Sequence, residues 1–401
     1  MSSNTTPVRR RRVFYIPGYD PVPPRRYREL YRTQSAAQAS ISGHDIKVVP
    51  GTLAARFGWQ VAARIEGQET ATDLTVLVWS DIVKDSMDRG ILATYAQLVR
   101  TAAFYLGTGT LFRLMRLRKG PVIAALYPVA LLLLQLMIAL AAAWATGHLL
   151  ALWHPLAGWG GLVVVPLVLA WFRRRDGRFF AYYLMHDYAY SASDHGAMSP
   201  RLAARLAEFA DDVATALTED YDEVLVVGHS SGVHLAVTVL ADLIRAGRVP
   251  RDGPALSFLS LGHVVPMVSF LPRAWRLRAD LAYLSTRPEL FWLDVSAPGD
   301  GCAFALCDPV SVTGVAPAGK RWPLVISAAF TQTLSRERWR ALRWRFFRLH
   351  FQYLCAFDRP NDYDYFRITA GPQTLGQRFA GRKPSKSRID RPTSHHTSVA
   401  P

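Results

Sequence analysis

One short segment of the chain combines residue types and spacing that suit nucleophilic chemistry. Gly228, Ser230 and Gly232 alternate in the sequence Gly-His-Ser-Ser-Gly, which follows the apolar residues 224–227 and precedes a segment with helical periodicity. A serine at the tip of such a strand–turn–helix adopts a strained backbone conformation, and glycines on either side let the strand and helix approach closely. The hydroxyl is then exposed near a helix N-terminus, where free N–H groups stabilise a developing anion. The spacing therefore predicts Ser230 as a nucleophile.

At these residues the chain resembles the α/β-hydrolase superfamily of esterases, lipases and thioesterases, in which the Gly-His-Ser-Ser-Gly form is common. The resemblance covers the strands around the motif and, more loosely, most of the chain outside one apolar segment. It implies an α/β fold with a mostly parallel sheet and helices on both faces. It also implies acyl transfer through Ser230, no cofactor and no metal, and a chain order of nucleophile, acid and then histidine.

A serine nucleophile needs a base, and the base needs a carboxylate that orients it. We predict His350 as the base because it follows the last predicted strand, as the order in the superfamily requires. The other histidines after Ser230 lie too close to it, precede the acid candidates or fall in the polar C-terminal segment: His234, His263, His395 and His396.

The acid of the triad is expected in the turn after a late strand. Asp300 lies in the turn that follows the predicted strand 290–295, whereas Asp294 lies inside that strand. Asp308 lies a few residues further along the chain and is the alternative acid. We therefore predict Asp300 as the partner of His350, with Asp308 as its rival.

The oxyanion of acyl transfer is normally held by two backbone N–H groups, one after the nucleophile and one in the first strand–helix loop. In this chain these groups belong to Ser231 and to Gly18 or Tyr19. Members of the superfamily often have His-Gly in the first loop, where this chain has Pro17 before Gly18. This departure leaves the identity of the second donor open.

The chain contains one long apolar segment, because residues 121–172 include no Asp, Glu, Lys or Arg. A membrane-spanning helix needs about 20 apolar residues, so this segment suits two spans, with a turn near residues 146–148 or 154–155. Basic residues on both flanks, at 116–119 and 173–175, predict that both ends face the cytoplasm. Two spans also return the chain to its starting side, so that strands before and after the hairpin can join one sheet.

The net charge indicates which binding partners suit the chain, and the cysteines indicate whether it has disulfides or a zinc site. The formal net charge of +16 indicates an anionic partner, either a membrane surface or a nucleic acid. Residues 336–349 alternate arginine with aromatic residues and predict one basic helix that suits a membrane surface. Nothing else resembles a nucleic-acid module, so no nucleic-acid partner is expected. The three cysteines form no C-x-x-C pair, which argues against a disulfide scaffold and a zinc site.

These observations predict a membrane-anchored serine hydrolase that cleaves acyl esters, with a lipid-like substrate and with the catalytic domain and both termini in the cytoplasm. Three alternatives stay open: an acyltransferase or thioesterase on the same fold, a non-catalytic membrane scaffold, and a nucleic-acid binder. The predicted parts are a basic N-terminal segment (1–12), the first part of the hydrolase domain (13–117), a transmembrane hairpin (118–175), the second part of the domain (176–380) and a disordered tail (381–401).

Overall fold

A computed structural model describes residues 6–53 and 56–401 of the chain. Its centre is one eight-stranded sheet with the strand order β2-β3-β4-β1-β5-β6-β7-β8. The strands are β1 Arg10–Ile16, β2 Asp45–Leu53, β3 Arg56–Ile65, β4 Gln68–Val76, β5 Glu223–His229, β6 Ala255–Leu261, β7 Leu290–Ser296 and β8 Leu324–Ser327. β4, β1 and β5 to β8 are mutually parallel, while β3 pairs antiparallel with both β2 and β4. The protein is thus a mixed α/β fold with a mostly parallel sheet.

Helices connect the strands and cover the sheet. They are α1 Arg25–Ser42, α2 Ser80–Met87, α3 Ile91–Gly107, α4 Thr110–Leu117, α5 Lys119–Ala151, α6 Val164–Arg174, α7 Asp176–Phe179, α8 Ala181–Ser191, α9 Pro200–Ala216, α10 Gly232–Arg245, α11 Pro266–Ser269, α12 Trp275–Leu284, α13 Pro309–Thr313, α14 Phe330–Thr333, α15 Arg336–Leu342, α16 Phe346–His350, α17 Tyr365–Ala370 and α18 Leu375–Arg378. Short 3₁₀ helices occupy Pro155–Val163, Ser193–Gly196 and Phe351–Leu354.

Two hydrophobic cores lie on opposite faces of the sheet, because successive side chains of a strand point to opposite sides. In β5, Val224 and Val226 belong to one core, and Leu225 and Val227 belong to the other. Helices α9, α10 and α12 cover the first core, and α1, α17 and α18 cover the second. All seven residues of β5 are buried, which explains its continuous apolar sequence.

The chain leaves β1 and β5 towards opposite faces, although these strands are neighbours in the sheet. β1 leads to α1 over the second core, and β5 leads to α10 over the first. Neighbouring parallel strands with such connections open a crevice beyond their carboxyl ends, where ligands bind in open α/β sheets. The residues after the two strands, at 17–19 and 230–231, therefore flank this crevice.

The apolar segment forms a helical hairpin outside the sheet. α5 and the continuous helical stretch Pro155–Arg174 are both long and apolar enough to cross a membrane. The chain turns between them after Ala151, close to the second of the two predicted turns. The arms approach closely where glycines face each other: a Cβ on Gly161 would lie 2.3 Å from the Ala143 carbonyl oxygen. Only 28% and 11% of the most apolar stretches of the two arms are buried, unlike core helices.

The basic N-terminal segment does not stand apart from the fold. Arg10 to Arg12 belong to β1, and the Arg11 side chain is fully buried. Its Nε donates to Glu223 Oε2 at 2.6 Å, and its other nitrogens donate to the carbonyls of Gly371 and Gln373. The predicted boundary at residue 12 is therefore wrong, because a buried carboxylate lets the strand begin within the basic run.

The predicted helix 336–349 is divided into α15 and α16. The backbone leaves the helical conformation at Arg345. Trp339 packs on the sheet core from α15, and the turn then directs Leu349 and His350 of α16 inward. One continuous helix is not compatible with both contacts.

The C-terminal segment 381–401 is held against the domain, so the prediction of a disordered tail is wrong. The Ser385 N–H donates to the Val325 carbonyl, and Ile389 forms a parallel bridge with Cys307. Further along, the Thr393 N–H donates to the Val312 carbonyl. Its polar composition suggested disorder, but backbone hydrogen bonds to the domain, rather than apolar burial, fix its course.

Candidate active site

Ser230 occupies a tight turn between β5 and α10. Its φ angle is +57°, in the left-handed region that non-glycine residues rarely adopt. The flanking glycines are required by space: a Cβ on Gly228 would lie 2.8 Å from the Val233 Cα. A Cβ on Gly232 would lie 2.1 Å from the Ile16 carbonyl oxygen. The backbone therefore has the strained conformation that the motif predicts, and the Ser230 side chain is only half-buried.

His350 and Asp300 form a hydrogen-bonded pair at the same edge of the sheet. Asp300 follows β7 in a turn closed by its N–H to the Ala297 carbonyl, and His350 ends α16. The His350 Nδ1 lies 2.7 Å from Asp300 Oδ2. Since the carboxylate accepts, the proton lies on Nδ1 and the imidazole Nε2 is left unprotonated in the neutral ring. This is the tautomer that a general base requires.

Asp300 is held in its charged form. Burial alone would raise the pKa of this carboxyl, but the neighbouring His350 and three hydrogen bonds outweigh it and lower the pKa. Besides His350, the Cys302 N–H donates to Oδ1 at 2.9 Å and the Tyr353 hydroxyl donates to Oδ2 at 3.0 Å. The Ala297 N–H in turn donates to the Tyr353 hydroxyl, which ties this ring to the acid turn.

His229 connects the nucleophile turn to the base. Its Nε2 donates to the carbonyl oxygen of His350 at 3.0 Å, and the two imidazole rings lie 4.7 Å apart. Burial, followed by the effect of His350, lowers the pKa of His229 to about 3, so this ring is neutral. Within residues 6–53 and 56–401, Ser230 Oγ makes no hydrogen bond to His350. Such contacts are often long before a substrate binds.

The first loop lies directly against the nucleophile. A Cβ on Gly18 would lie 3.0 Å from the Ser230 Cβ and 3.4 Å from its Oγ. Ser231 is the N-cap residue of α10. Among the hydrogen bonds of the described residues, the N–H groups of Gly18, Tyr19 and Ser231 donate none, which leaves all three candidate oxyanion donors free.

Asp308 and the remaining histidines lie elsewhere. Asp308 caps α13 by accepting the N–H groups of Val310 and Ser311, and its Oδ2 lies 2.6 Å from Lys320 Nζ. The structure therefore places Asp300, and not Asp308, beside His350. The other histidines after the nucleophile lie inside α10, in a buried contact with the Cys307 carbonyl and in the C-terminal segment: His234, His263, His395 and His396.

Three residues near the site escaped the sequence analysis. Tyr353 and Cys302 belong to no recognisable motif. The only sign in the sequence that they lie near the site is their closeness along the chain to His350 and Asp300. Asp187 lies on α8, just after the hairpin, and nothing in its local sequence marks it. Its charge nevertheless acts on His350, which partly offsets the rise in the pKa of Asp187 that burial causes, to about 7.

Asp300, Cys302 and His350 have ligand atoms within 4.8 Å of one another, a spacing that suits a metal ion. Metal binding requires a thiolate, whereas burial and then the nearby Asp300 raise the pKa of the Cys302 thiol well above its usual value. The proton that His350 shares with Asp300 also occupies one coordinating nitrogen. The hydrogen-bonded geometry of Asp300 and His350 is that of an acid–base pair.

Comparisons with protein-family models, with curated proteins and with solved structures gave no match. The interpretation of the site therefore depends on its own geometry. A strained serine, an imidazole with a free Nε2, a buried carboxylate and free N–H groups lie at the carboxyl edge of one sheet. These are the parts that acyl transfer needs.

Proposed function

We propose that the chain is a membrane-anchored serine hydrolase of the α/β-hydrolase fold that cleaves acyl esters. The observation that carries the proposal is the position of Ser230. It has a positive φ in the turn after β5, at the sheet edge where His350 and Asp300 are hydrogen-bonded. Strained residues of this kind cluster at active sites, and an imidazole oriented by a carboxylate at the same sheet edge is the partner that a serine nucleophile needs.

The reaction would follow the acyl-enzyme route. Ser230 Oγ attacks the ester carbonyl while His350 Nε2 takes the hydroxyl proton, and Asp300 stabilises the imidazolium that forms. The N–H of Ser231, with that of Gly18 or Tyr19, holds the oxyanion. The C–O bond of the ester then breaks and His350 returns its proton to the leaving alcohol. Water, deprotonated by His350, attacks the acyl-enzyme and releases the acid.

The hairpin is proposed to span the membrane beside this site. Its outward side chains are large and apolar, and an exposed apolar surface of this size is rarely found on monomeric soluble proteins. The exposed side chains of α5 include Leu133, Leu134, Met137, Ile138, Leu140 and Trp144. Exposed apolar residues continue onto α3, α4 and the α15–α16 turn: Leu92, Val99, Leu106, Phe112, Met115 and Trp344.

The base of the hairpin contacts the acid turn directly. A Cβ on Gly120 would lie 3.2 Å from the Gly301 Cα, and Arg118 Nε donates to the Ala305 carbonyl at 2.8 Å. These contacts support a site at the membrane surface and a lipid-like ester drawn from the bilayer. With basic flanks at both ends, we propose that the catalytic domain and both termini lie in the cytoplasm. Reporter fusions at the C-terminus test the topology, because activity restricted to the opposite compartment contradicts it.

The catalytic proposal is tested by labelling the full chain with a fluorophosphonate in detergent micelles. Wild type and Ser231→Ala should be labelled, because the alanine retains the backbone N–H, and Ser230→Ala should not. Equal labelling of wild type and Ser230→Ala refutes the nucleophile. A folded wild type that never reacts indicates a non-catalytic scaffold, and transfer of the acyl group to an added alcohol indicates an acyltransferase.

The substrate proposal is tested with esters of increasing acyl length, presented in solution and in vesicles. Each CH₂ buried in an apolar channel contributes about 0.8 kcal/mol, so long-chain esters in vesicles should be strongly preferred. If the protein hydrolyses soluble short-chain esters but no esters in vesicles, the lipid assignment is contradicted. The assignment of the catalytic triad is unaffected by that result.

A further inference from the structure

Helix α8 lies between the hairpin and the candidate active site. Tyr182 and Met185 pack in one small core with Leu132 of α5 and Leu98 of α3. His186 Nδ1 contacts Gln97 Oε1 on α3 at 3.0 Å. This side of α8 is therefore occupied by the hairpin and its supporting helix.

The opposite side of α8 faces the first loop of the site. Tyr183, Asp187 and Tyr190 follow one another at spacings of four and three residues, which places them on one helix face. Tyr183 donates its hydroxyl to the Tyr19 carbonyl, and the rings of Tyr183 and Tyr190 lie 6.3 and 5.5 Å from the ring of Tyr19. Asp187 lies between these two residues on the same face of α8, and after burial its charge also acts to raise the pKa of Tyr19 in that loop.

Asp187 has no hydrogen-bond or ion-pair partner within residues 6–53 and 56–401, where only burial and the charge of His350 act on its pKa. The chain has 47 Lys and Arg against 31 Asp and Glu, so cations are plentiful, yet none is placed here. Asp187 is half-buried, so part of its surface remains accessible to a ligand. A carboxylate that is partly shielded from water and has no partner in the chain attracts a cationic ligand, because charges removed from water are normally paired.

The surroundings of Asp187 are aromatic. Its charge acts on Tyr19, Tyr183 and Tyr188 as well as on His350. The hydroxyls of Tyr19 and Tyr183 are already bonded, to Ser86 Oγ and to the Tyr19 carbonyl. Because these two hydroxyls are committed, Tyr19 and Tyr183 offer a ligand their rings. A carboxylate among aromatic rings is complementary to an ammonium group.

We propose that Asp187 is the specificity residue of the site and binds an ammonium group of the substrate, with the rings of Tyr19, Tyr183 and Tyr190 around it. This inference rests on the proposed ester hydrolysis and adds the class of substrate. The ester carries a primary or quaternary ammonium group within reach of the carbonyl that Ser230 attacks. The ammonium group would be the ion-pair partner that Asp187 lacks among the described residues.

The test compares a choline ester with the 3,3-dimethylbutyl ester of the same acid, in which carbon replaces the charged nitrogen at equal shape. Full-length wild type in micelles should favour the choline ester in kcat/KM by about 30-fold, the size of one desolvated cation–aromatic contact. In Asp187→Asn this preference should fall severalfold, because the carboxylate charge is lost while the aromatic rings remain. Asp194→Asn removes an exposed charge seven residues away and should keep it.

A second measurement separates this inference from the catalytic proposal. Calorimetric binding of choline to the full chain does not require Ser230 to react, and it should be lost in Asp187→Asn but retained in Asp194→Asn. Equal rates on the two esters, or an unchanged preference in Asp187→Asn, overturns the inference. If Ser230 proves unreactive, binding alone decides: choline that fails to bind, or binds Asp187→Asn as well as wild type, also overturns it.

Discussion

Replacing Asp300 with asparagine tests the acid–base pair directly. The carboxylate has no exposed side-chain surface and receives hydrogen bonds from His350, Tyr353 and the Cys302 N–H. Asparagine has the same shape and its amide oxygen can still accept, so the substitution removes charge and not volume. The imidazolium that forms when His350 takes the serine proton then lacks its counter-charge.

The expected loss follows from the geometry. At the 2.7 Å separation of His350 Nδ1 and Asp300 Oδ2, an effective dielectric of about 20 gives an attraction of about 6 kcal/mol. The amide dipole retains part of this attraction. We therefore expect Asp300→Asn to lose about 4 to 5.5 kcal/mol of transition-state stabilisation, which is a rate loss of about 10³ to 10⁴.

The assay measures kcat/KM on a soluble neutral ester with the full chain in detergent micelles. Asp308→Asn is the matched control, because it removes a buried carboxylate that caps α13 and pairs with Lys320. This control should melt at a lower temperature and keep its rate within about threefold, since asparagine is also a good N-cap. A folded Asp300→Asn with more than a tenth of the wild-type rate refutes the assignment. A larger rate loss in Asp308→Asn would identify Asp308 as the acid of the triad.

Three further changes test the framework around the site. Gly232→Ala should give no folded protein, because its Cβ would lie 2.1 Å from the Ile16 carbonyl oxygen. The control Gly90→Ala meets no atom within 4 Å and should give the wild-type amount of folded protein in size-exclusion chromatography. Glu223→Gln should lower the free energy of unfolding in urea by about 3–5 kcal/mol, because Arg11 is left buried without its counter-charge. Burial lowers the pKa of His234 to about 4, and the unfolded chain binds this proton near pH 6.5. Stability should therefore fall with acidification between these values, by up to about 1.4 kcal/mol per pH unit, and His234→Gln should flatten the decline.

Local patterns predicted the elements around the site well. The continuous apolar run before Gly228 predicted β5, and the turn residues after residue 295 separated Asp300 from Asp294. The choice of Asp300 over Asp308 depended on which turn follows the strand directly. The structure agrees with this placement because Asp308 is committed to its helix cap and to Lys320.

Contacts between distant segments were not predictable from one sequence. Asp187 approaches the site because the hairpin positions α8, and its local sequence resembles any helix with mixed polarity. The course of residues 381–401 depends on backbone groups offered by β8 and α13, which composition does not report. The break at Arg345 likewise reflects two separate packing surfaces for Trp339 and Leu349.

The central position of β1 has a consequence for synthesis. Its neighbour β4 is made soon after it, but β5 is made about 200 residues later and after the whole hairpin. At about 5–20 residues per second, β1 remains an open sheet edge for roughly 10 to 40 seconds. Charged residues on such an edge discourage pairing with other chains, and this edge carries Arg10, Arg11 and Arg12.

When β5 arrives, Glu223 pairs in register with Arg11. A shift by one residue would separate the two charges and turn every β5 side chain to the wrong face. Arg11 thus first discourages other chains from pairing with the unpaired edge of β1. It then fixes the register of β5 against β1, which brings Ser230 beside Gly18. The nucleophile turn is assembled only after the hairpin has left the ribosome.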